Sequence, residues 1–216
     1  MITWQTITNL ASFSVIAPAA VAVTAWLLLG RAWRLTAWWL ILFLGGMTLV
    51  VASKIAFIGW GIGSREYDFT GFSGHVVRAM AIVPVLLYLV SQRTSAFLRV
   101  ASVLLGLAFG TLIAVSRMEV HAHSLSESVT GWLLGAVISL WMIYLLKQSP
   151  PIRANHWFLA LGLLGLVFAS PYAEPTPTQR WITQAALYLS GHDRPYIRVT
   201  WRLAPKSWKS SNEREI

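Results

Sequence analysis

An all-α, polytopic membrane protein, six transmembrane helices in a bundle with a polar site at the outer membrane face, is the fold class this sequence predicts. Three observations predict it. Of 216 residues, 56% are hydrophobic and only 12% charged. The apolar residues fall into runs long enough to cross a bilayer, and the charges sit between those runs in ones and twos.

Taken in order, Ala11 to Gly30 offers 20 residues without a charge, closed by Arg31 and Arg34, and is long enough to be a retained helix instead of a cleaved leader. Leu35 to Ser53 gives 19 uncharged residues before Lys54, after which Gly59, Gly61 and Gly63 predict that the second helix frays into a glycine-rich loop. The third helix is expected from His75 to Ser91, the fourth from Val100 to Val115, the fifth from Ser128 to Leu146 and the sixth from His156 to Tyr172, after a turn with Pro150-Pro151. Residues 1–173 thus form the membrane domain. Residues 174–216 are a basic tail, read as an irregular membrane-associated extension without chemistry. In it Thr178 to Ser190 has the pattern of a short amphipathic helix, and Tyr196 to Leu203 alternates like a strand.

Composition narrows the function classes. The net charge of +9 is scattered instead of forming a stripe, which argues against nucleic acid as a partner and for topology signals. There is no cysteine, hence no disulfide framework, thiolate nucleophile or Cys-type zinc site. Arg31, Arg34, Arg93, Arg99, Lys147 and Arg153 lie in connections without an acidic residue, so the positive-inside bias assigns that side to the cytoplasm. The Trp residues, such as Trp4, Trp60, Trp132 and Trp157, suit interface anchors.

The opposite side carries two polar islands. The first ends in Thr70-Gly71-Phe72-Ser73-Gly74-His75; the second runs from Ser116 to Glu127. Ionisable groups at a membrane edge are costly and mark functional candidates. His123 and Glu127 stand four apart, so on one helical face the carboxylate can orient the imidazole and leave its other nitrogen to attack or to move a proton. The same stretch, Ser124-Leu125-Ser126-Glu127, is equally a capping box. Ser73-Gly74 at a helix start can hold an anion on free amides, or Ser73 can be an N-cap only. Lys54 can bind an anion or snorkel from its helix end. His121, with no acid four residues on, reads as a loop histidine, and Glu66 and Asp68 as solvated or as partners of Arg65. Several cations and imidazoles against few carboxylates make a pocket for an anion, phosphate above all.

Ser73-Gly74-His75, followed after 40 residues by Ser116-Arg117, five residues, His123, three residues and an acid, resembles the type 2 phosphatidic acid phosphatase superfamily. That family includes lipid phosphate phosphatases and vanadium haloperoxidases. The resemblance spans Lys54 to Glu127. Three departures stand out: Phe72 replaces a Pro, Glu127 replaces an Asp, and Gly61 stands where an Arg-Pro is expected seven residues after Lys54.

The resemblance implies His123 as the nucleophile of a phosphohistidine, Glu127 as its orienting carboxylate and His75 as general acid. Lys54, Ser73, Gly74 and Arg117 would hold phosphate oxygens, with no metal and no cofactor. Arg78, one turn beyond His75, or else Arg65, is expected to replace the missing guanidinium, unless Arg78 only pairs with Glu127 or Glu119. The activity implied is hydrolysis of a lipid phosphate or pyrophosphate: phosphatidic acid, phosphatidylglycerol phosphate, undecaprenyl pyrophosphate or a lipid A phosphate. The partners are that lipid and the bilayer, and the expected home is a bacterial inner membrane, multi-pass, with the site facing the periplasm or exterior. Phosphate transfer to a second lipid, or headgroup binding without turnover, are the alternatives. The sequence leaves the oligomeric state open.

Overall fold

The computed structural model describes residues 3–152 and 178–203, all helix and connecting loop, with no strand among them beyond an isolated bridge between Ser64 and Phe69. The elements are α1 (Trp4–Asn9), α2 (Phe13–Leu29), α3 (Trp33–Trp60), α4 (Gly74–Ser91), α5 (Ala96–Glu119), α6 (Leu125–Lys147), α7 (Thr178–Ser190) and α8 (Arg198–Leu203). Five stretches among the described residues are long and apolar enough to cross a membrane: Trp4–Leu29, which joins α1 and α2, and α3, α4, α5 and α6. The expected sixth span, His156 to Tyr172, lies outside the described residues. Outward faces of α3 and α5 carry Ile41, Leu44, Leu49, Leu104 and Leu105 in the open, as a lipid-facing surface does. The chain is a multi-pass membrane bundle.

Helix ends differ from expectation where local chemistry outweighs composition. α3 runs on past Lys54 to Trp60 and gives way to the expected glycine-rich loop at Gly61, whose φ of 65° is the left-handed cap that glycine adopts without strain. Gly59 is tolerated inside the helix because α7 presses on it, with Ala186 O 3.1 Å and Ser190 Cβ 3.2 Å from where a Cβ would stand. α5 runs past Val115 to Glu119, so Ser116 and Arg117 sit on its last turns, not in a loop. Ser124 caps α6 and Glu127 reaches back to complete the capping box. In the tail, the helix expected over Thr178 to Ser190 is α7, and the difference lies after it. Tyr196–Leu203 is no strand: α8 starts at Arg198, and α7 packs on α3, so the segment is docked.

α4 is the axis of the bundle. Within its most apolar stretch 72% of residues are buried inside the protein, against 22% for α3 and α5, and it packs on α2, α5 and α6. Glycines on its neighbours bring the helices to near backbone contact, the small-residue packing expected in a bilayer. A Cβ at Gly135 of α6 would lie 2.5 Å from Met80 Cβ and 2.8 Å from Val77 O, and one at Gly106 of α5 would lie 2.6 Å from Pro84 Cα. This close approach holds the N-terminal ends of α4 and α6 side by side with the C-terminal end of α5.

Gly135→Ala should therefore cost on the order of 1–3 kcal/mol by overpacking, read as a lower thermal midpoint in detergent. Gly45→Ala, on α3 with nothing within 4 Å of the new Cβ, should leave the midpoint nearly unchanged. Equal midpoints for the two variants would show that the α4–α6 contact is not tight.

Candidate active site

The ends of α3, α4, α5 and α6 meet on one side of the bundle, and each contributes a group. From α3 comes Lys54. The following loop returns over it so closely that a Cβ at Gly71 would stand 3.3 Å from Lys54 N and 3.1 Å from Ser53 Oγ, while Phe72 N donates to Ser53 Oγ at 3.2 Å. The loop then delivers Ser73, Gly74 and His75 to the start of α4. Gly131 of α6 admits Ser73, whose backbone O would be 3.1 Å from a Cβ there, and Ser73 N donates to the Glu127 carbonyl at 3.2 Å. The two polar islands are thus joined.

Glu127 is fully buried and its carboxylate is saturated. Oε2 accepts from His123 Nδ1 at 2.7 Å and from Ser124 N at 3.3 Å. Oε1 accepts from Thr70 N at 2.8 Å, from the Thr70 hydroxyl and from Arg198 Nη2. The capping box and the imidazole-orienting contact, alternatives in sequence, coexist because each uses a different donor.

His123 lies in the turn between α5 and α6, with 12% of its side chain exposed, enough for a small group to reach it. Burial pushes its imidazole below the usual value of 6.5, and the cations of Lys54 and Arg117 push the same way, against the hydrogen bond and charge of Glu127. Near neutral pH the ring is uncharged. With the Nδ1 proton given to Glu127, the lone pair resides on Nε2, the form a nucleophile needs.

Around the ring the charge is positive. Lys54, Arg78, Arg117 and His123 all act electrostatically on His75, and Arg78 and Arg117 act on Lys54. Arg78 Nη2 donates to Ala11 O at 3.3 Å and its guanidinium lies 5.9 Å from the Phe13 ring centre; Arg117 Nη1 donates to Thr8 Oγ1 at 3.3 Å. Arg78 pairs with neither Glu127 nor Glu119 among the described residues, so the purely structural pairing expected for it is not found. Four buried polar atoms at this end have no hydrogen-bond partner among the described residues: Ser73 Oγ, Ser128 Oγ, Arg78 Nε and Arg117 Nε. Buried donors are rarely left unmade in a native structure, so a cluster of them marks a place for an acceptor. Ser73 makes no side-chain cap to α4, which leaves its hydroxyl available. Arg78 Nη1 lies next to Gly74, 3.6 Å from where a Cβ there would stand.

Other expectations separate. His121 is exposed in a left-handed turn (φ 53°), Glu66 and Glu119 are exposed, and Arg65 lies over the Trp201 ring at 5.3 Å, outside the cluster. What sequence reasoning missed is Arg198, together with Thr70 and Asp68, whose Oδ2 is 3.7 Å from Arg198 Nη1. No motif marks them. The one signal was Gly61: a side chain there would meet the Tyr196 ring at 2.9 Å, so the glycine that departs from the family pattern makes room for the tail.

Comparison with known proteins agrees with this geometry. The family model for the PAP2 superfamily matches residues 57–150, which include both polar islands from Ser73 to Glu127. An "Uncharacterized 22.5 kDa protein in cps region" from Klebsiella pneumoniae is 38% identical over 203 residues, covering 91% of this chain and 96% of its own. No solved structure matches. An all-helical membrane bundle that carries Ser73-Gly74-His75 and Ser116-Arg117 with His123 at one end, and that matches the family model across both, belongs to the PAP2 superfamily.

Proposed function

We propose that the protein is an integral membrane phosphatase that hydrolyses a lipid phosphate or pyrophosphate through a phosphohistidine on His123. The observation that carries this reading is the His123 ring, held by Glu127 at 2.7 Å, beside a cluster of cations and buried donors that have no partner among the described residues. Nε2 of His123 attacks phosphorus in line, forming the N–P bond as the bond to the lipid oxygen breaks. His75 gives its proton to that oxygen. Water then attacks phosphorus, the N–P bond breaks, and a water proton returns to His75. Lys54, Ser73, Gly74, Arg117 and Arg78 surround the equatorial oxygens, where negative charge is spread in the transition state. Arg78, beside Gly74 and in electrostatic contact with His75, fits the part of the guanidinium that the family places after Lys54.

A lipid is favoured over a soluble phosphate because the site opens at the end of helices whose outer faces are apolar, so an amphiphile can enter sideways with its chains in the bilayer. The substrate class remains phosphatidic acid, phosphatidylglycerol phosphate, undecaprenyl pyrophosphate or a lipid A phosphate. In a bacterial inner membrane the basic, acid-free connections would face the cytoplasm and the site the periplasm or exterior.

Purified protein should release phosphate from at least one lipid of that panel, and His123→Ala should lower release by roughly 10³-fold or more, since it removes the nucleophile. Activity near that of the unaltered protein in the variant would reject His123. The pH profile follows from the sign of its shift. Only the neutral ring attacks, and its pKa lies below 6.5, so kcat/KM should hold as pH falls through 6.5 and drop only beneath it. An acid limb at or above 6.5 would contradict the burial argument. For orientation, a cysteine introduced at Ser64 should react with an impermeant thiol reagent in intact cells and one at Ser149 should not; the reverse pattern would invert the topology.

A further inference from the structure

The C-terminal segment is seated on the end of α3 by contacts that leave it little freedom. Tyr196 N donates to Ile58 O at 2.9 Å, Trp201 Nε1 donates to Gly61 O at 3.1 Å, and the Trp201 ring packs edge-on against Phe57 at 5.3 Å. His192 Nδ1 adds a contact with Gly59 O at 2.7 Å. Between these anchors α8 opens with Arg198, which crosses to the other side of the loop and closes on Glu127 and on Thr70 Oγ1, the latter at 3.0 Å.

Glu127 has one more methylene than the aspartate the family pattern would place there, hence one more torsion to fix before its carboxylate can aim an imidazole. Oε2 alone, bonded to His123 and Ser124, sets one end of the group. Its orientation about the last torsion is set by Oε1, which Thr70 and Arg198 hold. We propose that Arg198 is a positioning residue: brought in by the tail, it pins Glu127 from the far side and through it holds the His123 ring in line for attack, so that the site is complete only when the C-terminal segment is docked. The proposal rests on the phosphohistidine reading for its rate consequence and on geometry alone for its effect on the imidazole.

The electrostatic consequence gives a second readout. The charged and titratable groups facing His123 are Glu127 of α6, Lys54 of α3, His75 of α4 and Arg117 of α5, with Arg198 and Asp68 lying behind Glu127. A guanidinium on Oε1 offsets part of the carboxylate charge that would otherwise favour a protonated ring. Removing it makes Glu127 a stronger partner for the imidazolium, so the His123 proton affinity should rise.

The test uses the full chain in detergent micelles, comparing the unaltered protein with Arg198→Ala and Arg198→Lys. Histidine side-chain NMR, with the His123 signal identified by its loss in His123→Gln, should show the pKa of His123 rising by roughly one pH unit in Arg198→Ala, and by less in Arg198→Lys. Phosphate release from Arg198→Ala should fall by roughly tenfold or more in kcat with KM nearly unchanged, its acid limb should move up with the NMR titration, and millimolar guanidinium should restore part of the rate. An unmoved His123 titration in both variants overturns the proposal. So does a rise in KM with kcat unchanged, which would make Arg198 a substrate ligand. If no lipid phosphate yields phosphate with the unaltered protein, the functional reading fails, and the NMR arm still decides whether Arg198 positions the ring. Phosphate release with no change on substitution rejects the positioning role alone.

Discussion

A fully buried carboxylate is the constraint on which this end of the molecule depends. Taking an ion such as Glu127 out of water costs several kcal/mol unless donors replace the hydration it loses. Here the replacement comes from three separate parts of the chain: the turn at His123 and Ser124, the Thr70 loop and the Arg198 helix. Each had to be in place for the others to be useful, because a carboxylate with half its donors is worse than none. The same residue anchors α4 through its backbone, since its carbonyl accepts Ser73 N. Glu127 therefore ties together segments that are far apart in sequence, and the geometry around His123 follows from how that one charge is satisfied.

The bundle makes such convergence possible by packing without side chains where the helices cross. Glycines at positions 106, 110, 131 and 135 put α5 and α6 against the backbone of α4, and the polar groups that close packing excludes from the bilayer collect at one end. In hydrocarbon the apolar faces give no preference among neighbouring helices, so shape and polar contacts must select the arrangement. Small residues on α5 and α6 supply the shape. The hydrogen bonds of Glu127 and Ser73 supply the register along the axis.

Much of this was legible in the residues. The apolar runs give the spans that the structure describes, and the spacing from His123 to Glu127 leads to the hydrogen bond observed, because helical periodicity converts a separation of four into adjacency. The positions of Ser73, Gly74 and His75 at the start of α4 follow from where the apolar runs stop. What composition could not show is that α7 covers Gly59, and where the tail goes beyond it. Alternation from Tyr196 to Leu203 suggested a strand, yet an isolated strand has no partner in a helical bundle, and the segment instead satisfies its donors against Ile58 and Gly61. Arg198 was invisible for the same reason: its partner is a residue 71 positions away, chosen by tertiary structure and by no local pattern.

The balance of charge carries the last step of the argument. With Glu127 shared between His123 and Arg198, no carboxylate among the described residues pairs with Lys54, Arg78 or Arg117, and the donors of Ser73, Arg78 and Arg117 that find no partner among those residues lie beside them. Three cations near one another at a membrane edge repel, and a fold that keeps them there gains nothing unless an anion completes the set. A carboxylate ligand would need only one or two of these donors. A phosphoryl group, with several oxygens spread around one centre, can engage all of them, and its developing charge in the transition state grows where the cations already stand. On the proposed phosphatase reading, complementarity to that state is what the arrangement of fixed positive groups about the His123 imidazole supports.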